Sequence, residues 1–319
     1  MKILLTGGAG FIGSHLARHL LGRGDDLVIL DNFNDYYSPA RKEENIADLL
    51  SSQRLELIRG DIRDRKLVAA VFADNDFDAV IHLAARAGVR PSLLDPLLYQ
   101  DVNVTGTLVL LEEIRKRAVK KFIFASSSSV YGDCLRQPLR EMEPDPRPVS
   151  PYGQTKLIGE DFIRVFHRQY GLSVCGLRFF TVYGPGQRPD MAIHKFSRLL
   201  TRGEEIPVYG DGSSRRDYTY ISDIIAGIVA ALDADLPFGI FNLGGGHSIT
   251  LSGLIELLGS RLGVKPRLKF LPFQTGDVKA TLADVSKATR TFGYRPRVKI
   301  EDGIGRFTDW FIARRGKGE

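Results

Sequence analysis

Eight residues near the start limit this chain more than any other stretch. Thr6-Gly7-Gly8-Ala9-Gly10-Phe11-Ile12-Gly13 follows the apolar run Lys2–Thr6 and opens Phe11–Leu21, which has helical spacing. Gly8-x-Gly10-x-x-Gly13 is the dinucleotide-binding spacing, and Gly7-x-x-Gly10-x-x-Gly13 is its wider form. Glycines let the turn be tight and bring backbone N–H groups against a pyrophosphate at a helix N-terminus. An ordinary glycine-rich turn shares the spacing but not this context. Here a strand precedes, a helix follows, and Asp31 closes the next apolar run 18 residues past Gly13. Asp31 is placed to accept hydrogen bonds from an adenosine ribose and to repel a 2′-phosphate. Asn32 follows it and the next arginine is Arg41, so NAD is expected rather than NADP. Asp61-Ile62, after the third run, can flank the adenine, and Asp61 can equally cap a helix.

The first half continues in the same rhythm. Leu27–Asp31, Leu55–Ile58, Ala79–Leu83, Phe122–Ala125 and Val174–Leu177 are apolar runs separated by helical segments. Continuous apolar strands of this kind belong to parallel sheets covered on both faces. Right-handed crossovers then give an α/β fold with a doubly wound (Rossmann) sheet over residues 1–180. After Arg178 the rhythm breaks, with Pro185, Pro189, Pro207 and the turn Gly210-Asp211-Gly212-Ser213-Ser214. Residues 181–319 are read as a smaller mixed α/β substrate domain, with 221–243 packing back onto the first sheet.

Tyr152-x-x-x-Lys156 lies where Ser150-Pro151 begins a helix, and a spacing of four puts both side chains on one face. The pair follows the tract Ser126-Ser127-Ser128-Ser129 at the carboxyl end of the fifth strand, the edge where such sheets bind ligands. A lysine and a positive nicotinamide beside the phenol are expected to lower its pKa from about 10, making it a base near neutrality.

These motifs, with Val130-Tyr131-Gly132, resemble the extended short-chain dehydrogenase/reductase superfamily, and within it the NAD-dependent nucleotide-sugar epimerases. Asp31-Asn32-Phe33-Asn34-Asp35-Tyr36-Tyr37 and Gly184-x-x-x-Arg188-Pro189-Asp190-Met191-Ala192 look most like the UDP-glucuronate 4-epimerases. The resemblance implies a catalytic set of Ser127, Tyr152 and Lys156. It implies cofactor contacts at Gly7, Gly10, Phe11, Ile12, Gly13, Asp31, Asn32, Asp61 and Ile62, at Leu83-Ala84-Ala85, Asn103, Ala125 and Phe179, and at Tyr152 and Lys156. For a UDP-sugar it implies Val208, Tyr209 and Arg216 at the nucleotide, with Gln274 and Asp277 beside them. Gln274 stands where many relatives carry arginine. The sister enzymes that dehydrate or decarboxylate a 4-keto sugar place an acid two or three residues before the matching Tyr131, where this chain has Ser129 and Ser128. Rival readings are a UDP-glucose or UDP-N-acetylglucosamine 4-epimerase and a non-catalytic NAD-binding protein.

Oxidising carbon 4 of a glucuronate makes a β-keto acid, so its carboxylate needs a polar, hydrogen-bonded setting. Ser127, Ser128, Ser129, Thr181 and Arg188 fit that need. In this superfamily the stretches Pro96–Arg117 and Tyr152–Tyr170 usually pair across a two-fold axis, which implies a homodimer; burial of their apolar stripes within the monomer is the alternative.

The 319 residues are 43% apolar and 26% charged, a globular balance that excludes disordered and fibrous classes. No apolar run approaches the ~20 residues of a membrane span, so no membrane partner is expected. The net charge of +6 is scattered, and the cluster Arg115-Lys116-Arg117 sits at a helix end, so nucleic acid is not an expected partner. Cys134 and Cys175 suit a reducing cytoplasm, and neither has partners at metal-ligand spacing. His82, ending an apolar strand, reads as a satisfied core histidine.

Overall fold

A computed structural model describes residues 1–117, 119–142, 146–273 and 278–314. The apolar runs become strands that are mostly buried, apart from the edge strand Leu55–Arg59, which is only partly so. In chain order β1 is Lys2–Thr6, β2 Asp26–Asp31, β3 Leu55–Arg59, β4 Ala79–His82, β5 Lys121–Ser127 and β6 Val174–Phe179. Then come β7 (Thr181–Tyr183), β8 (Ile206–Tyr209), β9 (Arg215–Arg216), β10 (Tyr218–Tyr220), β11 (Phe238–Leu243), β12 (Ile249–Thr250) and β13 (Leu268–Leu271).

Seven strands form one parallel sheet in the order β11-β6-β5-β4-β1-β2-β3. The chain runs outward from β1 to β3, then returns to lay β4 on the other side of β1. That reversal opens a crevice at the carboxyl ends of β1 and β4, the place where a doubly wound sheet takes its ligand. Register aligns the edge: Thr6 lies opposite His82, and Ser127 opposite Phe179.

Strand alternation supplies two cores. Ile3, Leu5, Ile29, Ile81, Ile123 and Leu177 face one side, against helices 11–23 and 221–233. Leu4, Val28, Val80, Phe122, Phe124 and Val174 face the other, against helices 65–73, 106–116 and 151–170. The segment 221–243 therefore supplies a helix to the sheet's face and its edge strand β11. The remaining strands make three short pairs, β7 with β10 and β8 with β13 parallel, and β9 with β12 antiparallel.

Candidate active site

At the first turn Gly7 has φ +72°, and a Cβ there would stand 2.7 Å from the backbone nitrogen of Ala84. A Cβ on Gly13 would be driven into the carbonyl oxygen of Gly7. Close contact between the turn, β4 and the first helix thus demands glycine at both positions. Gly10 precedes helix 11–23 with no side-chain cap, so the helix's first N–H groups stay open to the crevice.

Asp31, at the end of β2, is 7% exposed. Its carboxylate accepts from Ala9 N at 3.1 Å and Phe33 N at 2.9 Å, tying the phosphate turn to the segment after β2. Burial pushes the carboxyl upward, against the pull of those two bonds and of Lys42. Asn32 donates to Asp61 at 2.9 Å, and the Arg63 guanidinium holds Asp61 down at about 2. A cavity of about 370 Å³ runs from here along the sheet edge. Gly7, Gly10, Phe11, Ile12, Gly13, Asp31, Asn32, Asp61, Ile62, Leu83, Ala84, Ala85, Ala125 and Phe179 line it. A glycine cradle, open helix N–H groups and a ribose-height carboxylate fit a dinucleotide.

The same cavity receives Ser127, Tyr152 and Lys156. Helix 151–170 begins at Ser150, whose hydroxyl accepts from Gly153 N at 3.1 Å, with Pro151 in its first turn. Tyr152 thereby sits in the first turn and Lys156 one turn deeper. Tyr152 lies beside Ser127 on this cavity. Burial raises the phenol's pKa, while the Ser127 hydroxyl and the Arg188 charge lower it. The expectation of a phenol lowered by its lysine is corrected in one respect: burial is the largest influence on Tyr152, and the cation acting on it is Arg188. Lys156 donates to the Ala125 carbonyl at 2.8 Å, and burial brings its ammonium down to about 8.

Asn103 does not line the cavity. It is buried one layer behind, in a π-helical turn at 101–105, a deviation often found at functional sites. Its side chain accepts from Arg86 N at 2.8 Å and donates to Arg86 O and to Thr155 Oγ1, both at 3.0 Å. Thr155 in turn donates to Tyr152 O. Asn103 thus clamps the loop after β4 to the helix carrying Tyr152. His82 is buried between Thr6 and Thr107. Thr107 gives its proton to Asn103 O, so His82 Nε2 is the donor to Thr107 and Nδ1 accepts from Thr6.

Toward the sugar end the cavity is walled by Ser128, Ser129, Thr181 and Arg188. Asp190 holds Arg188 through Nε at 3.0 Å and Nη2 at 2.9 Å. A second cavity of about 200 Å³ is lined by Arg90, Tyr209, Arg216 and Phe273 among others. Val208 is fully buried in β8 and supports this wall from the core side. Gln274 and Asp277 lie outside the described residues. Spacing did not single out Tyr36, Tyr37 and Lys42, which line the first cavity, or Arg90. The paired tyrosines after Asp31 were the available signal.

A model of the NAD dependent epimerase/dehydratase family matches residues 3–244. The chain belongs to that family. It is 41% identical to a UDP-glucuronate 4-epimerase from Thermodesulfobacterium geofontis, over 96% of this chain and 95% of that protein. Among solved structures, a UDP-glucuronic acid 4-epimerase from Bacillus cereus, in complex with UDP-glucuronic acid and NAD, superposes with a TM-score of 0.93. It is 38% identical, and the match covers 98% of this family member and 99% of the Bacillus chain. A dTDP-glucose 4,6-dehydratase double mutant from Streptomyces venezuelae, with NAD bound, also gives a TM-score of 0.93, at 33% identity over 99% of this chain and 98% of that one. Backbone shape therefore does not separate epimerase from dehydratase, and the side chains at the sugar end have to.

Proposed function

We propose that the chain is an NAD-dependent UDP-sugar 4-epimerase acting on UDP-glucuronate to give UDP-galacturonate. The observation carrying this reading is the convergence of Ser127, Ser128, Ser129, Thr181 and Arg188 with Tyr152 on one cavity. Four hydroxyls and a guanidinium suit a carboxylate, and the positions where sister enzymes hold an acid are Ser128 and Ser129.

NAD bound at the Gly7–Gly13 turn supplies a hydride acceptor, then a hydride donor, and a positive charge. Tyr152, as phenolate, takes the proton from the 4-hydroxyl and gives it back when the alcohol re-forms on the opposite face. Ser127, beside Tyr152, keeps the proton path short. Lys156 holds positive charge one helical turn below. The hydroxyl cluster and Arg188 keep the sugar carboxylate solvated by donors, which opposes loss of carbon dioxide from the 4-keto intermediate. The nucleotide half lies toward Tyr209 and Arg216. Residues 1–180 form the cofactor domain and 181–319 the sugar domain, with 221–243 returned to the sheet.

Two further assignments go with this reading. Free thiols at Cys134 and Cys175 support a reducing cytoplasm. Among the described residues no helix is long and apolar enough to cross a membrane. Exposed Leu94 and Leu97, with Val165 on helix 151–170, support a homodimer. A monomeric mass by light scattering at micromolar concentration refutes the dimer.

The test is Ser128→Ala combined with Thr181→Ala. Losing donors to an anion weakens UDP-glucuronate by roughly ten- to a hundredfold while UDP-glucose changes little, and UDP-4-keto-pentose leaks as product. Equal losses on both nucleotide sugars, without pentose, refute the carboxylate role.

A further inference from the structure

The segment after Asp31 folds back over the sugar end of the cavity. Phe33, with φ +47°, makes the reversal, an uncommon conformation for a side chain of that size. It delivers Tyr36 between two arginines from distant parts of the chain. The guanidinium of Arg188 stands over the Tyr36 ring at 5.2 Å from its centroid, and that of Arg86 at 5.9 Å. The hydroxyl is enclosed as well. Tyr99 gives its proton to the Ala87 carbonyl at 2.6 Å, which fixes that ring beside Tyr36. Gly88 has φ +102°, and a Cβ there would stand 2.6 Å from the Tyr36 hydroxyl, so the loop leaves room for that oxygen. Tyr99 meets the Tyr152 ring edge-on at 6.3 Å. Tyr36 is therefore enclosed by the two guanidiniums and the Gly88 loop, with the base side of the site behind it and Arg188 above it.

Arg188 needs such a fixture. Its bidentate pair with Asp190 uses Nε and Nη2 and does not use Nη1. Asp190 is the adjacent, half-exposed partner, and by itself it would let the guanidinium swing out with it. The ring supplies a second restraint, because a guanidinium over an aromatic face is attracted to it and loses freedom to swing away.

We propose that Tyr36 is a positioning residue that aims Arg188 at the sugar carboxylate and so sets the preference for an acidic over a neutral sugar. This rests on the carboxylate reading given above.

The test is calorimetric titration of the NAD-loaded protein with UDP-glucuronate and with UDP alone. Tyr36→Leu is expected to weaken UDP-glucuronate by roughly 3- to 30-fold, the range of a partly desolvated cation–π contact, and to leave UDP within twofold. Tyr36→Phe keeps the ring and stays within about threefold of wild type. Because the effect runs through Arg188, Tyr36→Leu adds nothing on top of Arg188→Met. If Tyr36→Leu does not fold, Tyr36→Met, closer to a flexible filler, takes its place in the cycle. Equal weakening of UDP and UDP-glucuronate, or full additivity with Arg188→Met, overturns the role of Tyr36. An Arg188→Met protein that binds UDP-glucuronate as tightly as wild type overturns the carboxylate reading itself, and the proposal with it. Selective loss in Arg188→Met with a silent Tyr36→Leu overturns the proposal alone.

Discussion

The buried lysine of the proposed catalytic set is predicted to destabilise the protein that carries it. Lys156 is buried, 5% exposed, and burial brings its ammonium from 10.5 to about 8, against the opposing pull of Glu160. At about 1.36 kcal/mol per pH unit, that displacement corresponds to roughly 3 kcal/mol in the nucleotide-free protein near neutral pH. Folding depresses the group's pKa, so between about 8 and 10.5 the unfolded chain binds more protons than the folded one. Stability therefore rises with pH across that window, and below about 8 the full penalty is present. Lys156→Met removes the charge and fills a similar volume, but it also loses the hydrogen bond to Ala125 O, worth about 1 kcal/mol. The net expectation is a gain of about 2 kcal/mol at pH 7. Unfolding entropy of about 2.1 cal/mol/K per residue converts this to a Tm higher by about 3 °C for a chain of this length. The assay is thermal unfolding of nucleotide-free wild type and variant at pH 7 and pH 10, with turnover measured alongside. The variant is expected to be inactive, more stable at pH 7, and level with or below wild type at pH 10. A variant less stable at pH 7, or a difference independent of pH, refutes the reasoning.

Glu160 is fully buried and bonds Arg178 at 2.8 and 2.6 Å, with Ser126 as a further donor. Glu160→Ala strands a buried guanidinium and should cost roughly 3–5 kcal/mol in urea unfolding; a loss below ~1 kcal/mol contradicts the pairing's importance. Asp31 lines the cavity with the ribose role proposed for it, so NADP should bind roughly 100-fold more weakly than NAD, given the several kcal/mol of like-charge contact. Fluorescence titration showing equal affinities contradicts that role.

Local signals made much of the fold and part of the site legible in the sequence. Gly7, Gly10 and Gly13 are contiguous with the strand and helix they join, so the turn can be read where it stands. Tyr152 and Lys156 are four apart on one helix, and Asp31 ends an apolar run. Ser128, Ser129, Thr181 and Arg188 needed chemistry and resemblance as well, because they come from different elements that meet only in the folded chain. Tyr36 was visible as one of the paired tyrosines after Asp31, but nothing in the sequence gave it a role of its own. Its importance comes from meeting Arg188 and Tyr99, which lie far away in sequence. Asn103 was read as a cofactor contact, but its amide is spent on Arg86 and Thr155. No spacing distinguishes a side chain that lines a cavity from one that braces the wall. The phenol of Tyr152 was read too simply for a related reason, since burial acts on it without leaving a mark in the sequence.

The most direct test of the central claim follows the hydrogen on carbon 4. UDP-glucuronate carrying deuterium at that carbon is incubated with the NAD-loaded protein in ordinary water, and the products are separated and analysed by mass and NMR. Transient oxidation predicts UDP-galacturonate with deuterium retained at carbon 4, formed more slowly than from unlabelled substrate, and a Tyr152→Phe protein at least ~100-fold slower. Product that has exchanged its deuterium for solvent hydrogen, or no galacturonate at all from NAD-loaded protein, contradicts the account.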